Sequence, residues 1–245
     1  MIKKILLIVF VFFLTGYLMF AVVFINPKAN INNVCKAVKI ELVQTDETAY
    51  LNEKQIESFL NRSGLNPVGK KLSDIRMETI QKALMENRLI KKVESHKTID
   101  GNVYIKIYSR TPVLRIISDT GNYYVDSEGE IMPIPSNFSA YVPVATGKIS
   151  EEYAKKQLYS FAIFLKKNKF WNAQIEQIHV TSNLDIELTP RVGNHSIILG
   201  KIENYPENLD KLRLFYDKGL NKVGWNRYSV INLKYKNQVV CTKSD

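Results

Sequence analysis

The chain begins with an uninterrupted apolar run, which constrains its fold more than any other feature of the sequence. Residues 5–25 carry no charged side chain, and Lys3 and Lys4 precede them. As an α-helix, these 21 residues would extend about 32 Å, close to the roughly 30 Å hydrocarbon core of a bilayer. The run therefore predicts one transmembrane helix.

A cleaved signal peptide is the main alternative to a lasting membrane span. Its apolar region should cover only about 7–15 residues and end in a small-x-small cleavage site. The stretch 21–24, Ala-Val-Val-Phe, offers no such site, and Asn32-Asn33-Val34 before Cys35 lacks the small residue expected upstream of a lipidated cysteine. Both observations favour an uncleaved span.

The charges that flank the span predict its orientation. Lys3 and Lys4 favour a cytoplasmic position for the tail, residues 1–4. No second apolar stretch of spanning length occurs in the sequence. We therefore expect a single-pass protein of the cell inner membrane, with residues 26–245 in the periplasm or its equivalent.

The basic composition points to partners other than nucleic acid. Lys and Arg number 34 against 24 Asp and Glu, which gives a formal charge of +10. An exported domain meets no chromosomal target, so the surplus predicts either a solvated basic surface or attraction to anionic lipid headgroups and acidic partners.

The sequence after the run predicts a short linker and then a small mixed domain. Residues 26–37 are rich in Asn and contain Pro27, a composition typical of a loop. Between 38 and 109 the apolar pattern has a period of two, then twice a helical period, then again a period of two. This order predicts an α+β domain of one strand, two helices and two strands.

Residues 110–245 predict a second domain that is rich in strands and contains two helices. Ser150 is the expected N-cap of the first helix. Pro206 is expected to begin the second, which should end before Gly219. Residues 230–240 are predicted as a terminal edge strand, with Ile231, Leu233 and Tyr235 on its core face.

No motif predicts a catalytic or cofactor-binding residue. Residues 64–71 fit most of a P-loop, but Lys71 stands where a hydroxyl is required, so we interpret them as a turn between helices. Asp126, Glu128 and Glu130 could serve as acid/base groups. Their position instead predicts a solvated hairpin turn without a charge partner.

The histidines and cysteines predict neither a metal site nor a disulfide. His96, His179 and His195 lack the paired spacing of metal ligands. Cys35 and Cys241 stand at opposite ends of the exported part, and we expect two unpaired thiols.

Four stretches, in order along the chain, resemble the FtsQ/DivIB family of bacterial cell-division proteins. They are 89–113, which includes Arg110-Thr-Pro-Val113; the hairpin 124–129; the segment 142–147; and the closing portion with 198–200, 211–212 and 230–235. The sequence departs from the family pattern at Ser109, Asn232, Lys234 and Gln238.

The resemblance implies the fold and function of that family. It implies a cytoplasmic tail, one span, a polypeptide-transport-associated (POTRA) domain at 38–109 and a β domain at 110–245. The expected function is a non-enzymatic scaffold at the division septum. It would bind FtsB/DivIC-like, FtsL-like and other divisome membrane proteins, and link them to septal peptidoglycan synthesis.

The same resemblance implies where the partners bind. An exposed edge strand can accept a partner strand by β-augmentation. The partner-binding residues expected on it are Lys234, Tyr235, Asn237, Gln238 and Val239. We expect Lys234 to meet an acidic side chain and Tyr235 to anchor the rim. A secondary partner surface is expected at Arg88, Lys91 and Lys92.

Two functions of other classes remain as alternatives. A membrane-anchored POTRA chaperone or translocation factor is one, because POTRA modules also pair with unfolded strands; the large carboxy-terminal domain argues against it. The other is a peptidoglycan enzyme or its regulator, which would cleave or bind cell wall.

Overall fold

The computed structural model describes residues 2–25, 34–44 and 48–244. The chain divides into two compact units. The first unit contains Met1–Glu41, Glu53–Met85 and Val93–Ile107, and the second contains Leu42–Asn52, Glu86–Lys92 and Tyr108–Asp245.

Helix α1 covers Ile2–Ile25 and is apolar along most of its length. Phe10, Phe12 and Phe13 are among its exposed side chains. Within the described residues, no helix combines the length and the apolar character that crossing a membrane requires. The side chains of residues 6–8 and 22–25, which belong to the predicted span, lie outside the described part, as does the predicted linker as far as residue 33.

The small mixed fold has the element order that the sequence predicted. Its three-stranded sheet has the order β1-β3-β2. The elements are β1 (Ala37–Val43), α2 (Glu53–Arg62), α3 (Met77–Met85), β2 (Ile90–Lys97) and β3 (Asn102–Ser109). Val103, Ile105 and Ile107 alternate inward along β3 and are buried, which fixes the register of the central strand. The mixed α+β class is confirmed.

The second unit is built on a nine-stranded sheet of order β12-β11-β10-β9-β8-β7-β4-β5-β6. The β7 strand is parallel to both β4 and β8, and β10 is parallel to β11, while the other pairs are antiparallel. The strands are β4 (Pro112–Ser118), β5 (Gly121–Asp126), β6 (Ile131–Met132), β7 (Val144–Gly147), β8 (Ile175–Val180), β9 (Asp185–Pro190), β10 (Ser196–Lys201), β11 (Tyr228–Asn232) and β12 (Val240–Lys243).

Two helical segments pack against this sheet. The first starts at Ser150, whose hydroxyl accepts a hydrogen bond from the amide of Tyr153, as an N-cap does. It contains α4 (Glu151–Tyr153), a π-helical turn (Ala154–Leu158), α5 (Tyr159–Lys167) and α6 (Lys169–Gln174). The second contains a 3₁₀ turn (Ile202–Asn204), α7 (Tyr205–Phe215), a π-helical turn (Tyr216–Leu220) and α8 (Asn221–Val223).

A row of apolar side chains across the sheet forms the centre of the core. The strand registers align Ile116, Ala145, Ile178, Leu188, Ile197 and Ile231. All six are buried in one cluster with helical side chains such as Phe161 and Leu212. The helices therefore cover the face of the sheet that carries this row.

The sequence predicted that the second helical segment ends before Gly219, and this prediction is wrong. Tyr216 and Leu220 are both buried, so the chain continues through a π-helical turn that keeps both side chains in the core. A Cβ at Gly219 would lie 2.9 Å from the Phe215 ring, so close packing explains this glycine. Gly224, with φ of 95°, ends the segment instead.

Candidate functional site

The outer edge of β12 is the end of the nine-stranded sheet at which the chain finishes. In the described part of the chain, β11 is the only strand that pairs with β12. We call β12 together with the turn at residues 233–239 the C-terminal edge.

The register of β11 shows which backbone groups of β12 face outward. The Leu233 amide donates to the Ile198 carbonyl at 2.9 Å, so it points toward β10. The backbone amide and carbonyl of Asn232 therefore point toward β12, where Asn232 lies opposite Val240. Because backbone groups alternate along a strand, the amide and carbonyl of Cys241 and the amide of Lys243 point away from β11. The Lys243 carbonyl accepts a hydrogen bond from the Ser229 hydroxyl of β11 at 3.4 Å.

The five predicted partner residues lie in the turn before β12 and not on a strand. The predicted strand at 230–240 is wrong from residue 233 to residue 239. The Asn232 side chain accepts a hydrogen bond from the Lys234 amide at 3.0 Å, and Asn237 has φ of 58°. Both are turn conformations that asparagine favours. Tyr235 is accordingly 53% exposed and not on the core face.

The Lys234 ammonium already has a carboxylate partner within the molecule. It lies 2.8 Å from Asp185, which also pairs with Lys201 at 3.2 Å. The hydrogen bond from Lys234 is the main cause that lowers the pKa of Asp185, and the same contact raises the pKa of Lys234. An acidic partner side chain would therefore compete with Asp185.

An apolar groove of about 590 Å³ lies beside the turn. Leu214, Phe215, Asn237, Gln238 and Val239 are among its lining residues. Three of the predicted residues therefore share one groove with α7, a contribution that the sequence analysis missed. The available signal was Leu214, an apolar residue off the buried stripe of its helix and 54% exposed.

A lysine from α7 holds the turn in place. The Lys211 ammonium donates to the carbonyls of Leu233 at 3.0 Å and Tyr235 at 3.1 Å. These bonds satisfy carbonyls that have left the β ladder, and they fix the groove beside the outer strand.

Comparison with known proteins decides the family. Residues 111–242, more than half of the chain, match the family described as FtsQ/DivIB, C-terminal related. The chain belongs to the FtsQ/DivIB family. Residues 33–108 match the POTRA-like domain. No curated protein matches this sequence. The resemblance found in the sequence is confirmed.

The secondary surface predicted for this FtsQ/DivIB-family chain lies at the start of β2 and in the turn before it. Arg88, Lys91 and Lys92 are all exposed. The Lys91 ammonium pairs with Glu128 at 2.9 Å, and the Lys92 ammonium lies 5.6 Å from the centre of the Tyr108 ring. The segment that carries all three belongs to the second unit.

The hairpin carboxylates have charge partners, so the prediction of a turn without one is wrong, while Glu128 and Glu130 are exposed as predicted. Asp126 is 1% exposed and pairs with Arg110 at 2.5 Å. Its other oxygen accepts the amides of Glu128 and Glu130, at 2.8 and 2.9 Å. Glu130 pairs with Lys155 at 2.8 Å. Every carboxylate of the set therefore has a structural partner.

The histidines are dispersed, as the sequence predicted. His96 stacks on Tyr104, and His195 is buried against Tyr216. Across 2–25, 34–44 and 48–244, no three His, Cys, Asp or Glu side chains are grouped to hold a metal ion. Cys35 and Cys241 are free thiols, which confirms that prediction.

Proposed function

We propose that this protein is a scaffold of the bacterial division machinery that captures partner strands at the C-terminal edge. The observation that carries the proposal is the open outer side of β12 beside an apolar groove. The proposed partners are FtsB/DivIC-like and FtsL-like proteins, and through them septal peptidoglycan synthesis. The proposed mode of action is binding without catalysis.

The edge supplies affinity through its backbone. An incoming strand can pair with the outward amides of Cys241 and Lys243 and with the Cys241 carbonyl, and each such bond contributes about 0.5–1.5 kcal/mol net. An apolar partner side chain buried in the groove adds roughly 1.5–3 kcal/mol. Backbone pairing gives affinity, and the groove gives specificity.

The five turn residues would form the rim of this site. Asn237, Gln238 and Val239 line the groove, so they would contact a side chain of the bound segment. Tyr235 is exposed and free to cover it. Lys234 would reach a partner carboxylate by exchange with Asp185. Arg88, Lys91 and Lys92 form the proposed second surface.

The proposal includes membrane anchoring by residues 5–25, with residues 1–4 cytoplasmic and the body at the outer face of the inner membrane. The support is the uncharged 21-residue run in the sequence and membership of the FtsQ/DivIB family. Anchoring would hold the C-terminal edge close to single-pass partners at the septum.

A proline on the outer edge tests the mode of binding. In Lys243→Pro, an outward amide is lost, and an edge strand tolerates proline at such a position. Affinity of the full chain in detergent for the exported segment of an FtsB-like partner should fall at least about tenfold, measured by calorimetry.

Lys243→Ala is the matched control because it removes the same side chain and keeps the amide. Its affinity should stay within about twofold of the wild type, as expected for a solvated cation at an interface rim. Equal binding by Lys243→Pro and the wild type would exclude strand pairing at β12.

A further inference from the structure

Three chain segments meet at one end of the first unit. The Cys35 amide donates to the Lys70 carbonyl at 2.8 Å, and the Gly69 amide donates to the Cys35 carbonyl at 2.9 Å. The Lys36 amide donates to the Gly101 carbonyl at 2.8 Å. Residues 34–36 are therefore held between the loop 68–71 and the tip of the β2–β3 hairpin, 97–101. We call these three segments the entry surface.

Apolar side chains on the entry surface point into solvent. Ile99, at the hairpin tip, is 96% exposed, and Val34 and Val68 are 45% and 48% exposed. A tip residue that packs on nothing gains no folding energy from its apolar character, because hydrophobic stabilisation scales with the area removed from water. Ile99 is thus available for an apolar surface outside the molecule.

Lysines surround these apolar side chains. Lys36, Lys70, Lys71 and Lys97 are all exposed. The Lys70 ammonium donates to the Gly64 carbonyl at 2.6 Å, and that of Lys97 to the Leu72 carbonyl at 2.5 Å. Among the residues that the structure describes, none of the four forms an ion pair.

One carboxylate at the hairpin tip opposes these charges. Asp100 accepts a hydrogen bond from the Asn102 amide group at 2.6 Å. Hydrogen bonds lower the pKa of Asp100, and the bond from the Thr98 side chain has the largest effect. The entry surface nevertheless keeps an excess of positive charge.

The sequence places this surface close to the apolar helix. Only residues 26–33 separate Ile25 from Val34. Nine Cα–Cα steps cover at most about 32 Å. If residues 5–25 lie in a bilayer, the entry surface is therefore within reach of the headgroups.

We propose that the entry surface docks on an anionic lipid bilayer, with Ile99 at the headgroup–acyl boundary and the four lysines among the lipid phosphates. The proposal rests on the membrane anchoring included in the proposed function. Apolar side chains insert at this depth, while lysines extend their amines toward the phosphates. Anionic lipid attracts each nearby lysine, and one tether already brings the surface to the bilayer.

Photocrosslinking of the full chain in nanodiscs tests the docking. A benzophenone amino acid replaces Ile99 in one variant and Val192, which is 54% exposed in the second unit, in the matched control. In discs of phosphatidylglycerol and phosphatidylcholine, lipid adducts at position 99 should exceed those at position 192 at least about fivefold. Pure phosphatidylcholine should reduce the yield at position 99 at least about twofold.

A charge-matched pair of variants identifies the lysines as the cause. In one variant, Gln replaces the four lysines of the entry surface, Lys36, Lys70, Lys71 and Lys97. Its adduct yield at position 99 should fall to the level that the unsubstituted chain shows in pure phosphatidylcholine. The same exchange at Lys148, Lys167, Lys169 and Lys222, which are exposed and lie in the second unit, should leave it unchanged.

The outcomes separate this proposal from the one on which it rests. Equal yields at positions 99 and 192 in a chain that has entered the discs would overturn docking and leave the anchor intact. A chain that fails to enter the discs would overturn both. Loss of partner binding in Lys243→Pro reports on the C-terminal edge alone.

Discussion

The two ends of the nine-stranded sheet differ in how they are closed. At the β6 end the last strand has only two residues, Met132 is buried, and Asp126 is fixed by Arg110 and two amides. At the β12 end, Val240 and Tyr235 are 44% and 53% exposed.

This difference favours the β12 end as the proposed site of assembly. A very short edge strand offers little template for pairing, whereas a longer exposed one does. One end of the sheet is therefore completed by contacts within the chain, and the other leaves backbone groups for a partner. Predictions that perturb each end separately test this view.

Removal of the cation at the β6 end should have the largest effect. In Arg110→Met, the buried carboxylate of Asp126 loses its partner, which should lower the free energy of unfolding by about 3–5 kcal/mol. Urea denaturation followed by circular dichroism measures it. In Lys156→Met, which breaks the exposed pair with Glu152, the free energy of unfolding should stay close to that of the wild type. Similar losses in both variants would mean that burial does not distinguish the pairs.

The free energy of unfolding of the second unit should fall in acid because of His195, which lies on the β12 side of the sheet. His195 precedes β10 and contacts Tyr216 at 2.8 Å, and burial lowers its pKa from the ordinary 6.5. As the pH falls, the unfolded chain therefore binds a proton at this histidine before the folded chain does. The contribution of His195 to the free energy of unfolding is fully present above about pH 6.5 and declines below it. Between pH 7 and pH 5, we therefore expect the free energy of unfolding to fall.

Exchange of this one histidine isolates its share of the pH dependence. In His195→Gln, the decline in unfolding free energy between pH 7 and pH 5 should be shallower than in the wild type, measured by urea denaturation at each pH. His179→Gln, at an exposed position, is the control and should keep the wild-type slope. Parallel slopes in all three proteins would rule out His195 as the source.

Loss of the Lys234–Asp185 pair should have the smallest effect on stability. Lys234→Gln removes a half-exposed ammonium, and Lys201 remains beside Asp185, so the midpoint of thermal unfolding should stay close to that of the wild type. Thermal denaturation checks this. If Lys234 also contacts a partner carboxylate, the same variant will lose affinity for the FtsB-like segment; unchanged affinity would remove Lys234 from the site.

Much of the fold could be predicted from residue patterns. Alternation in β3 and the Ser150 N-cap depend on neighbours along the chain, and the structure places both as expected. The family was recognisable for the same reason, since its motifs are contiguous.

The candidate site was harder to predict because it depends on distant residues. The alternating pattern at 230–240 is compatible with one strand, but turns at Asn232 and Asn237 divide it. Lys211 reaches the turn from another helix, and the groove needs Leu214 and Phe215. Likewise, the turn 126–130 looks solvated until Arg110 is placed beside Asp126.

By itself, the sequence determined the element order, the position of the apolar run and the family, because each depends on hydrophobic periodicity and local turn chemistry. Only the tertiary structure decided which edge stays open, which carboxylates are paired and which apolar side chains face solvent. These properties depend on contacts between residues far apart in the chain, and no local pattern encodes them.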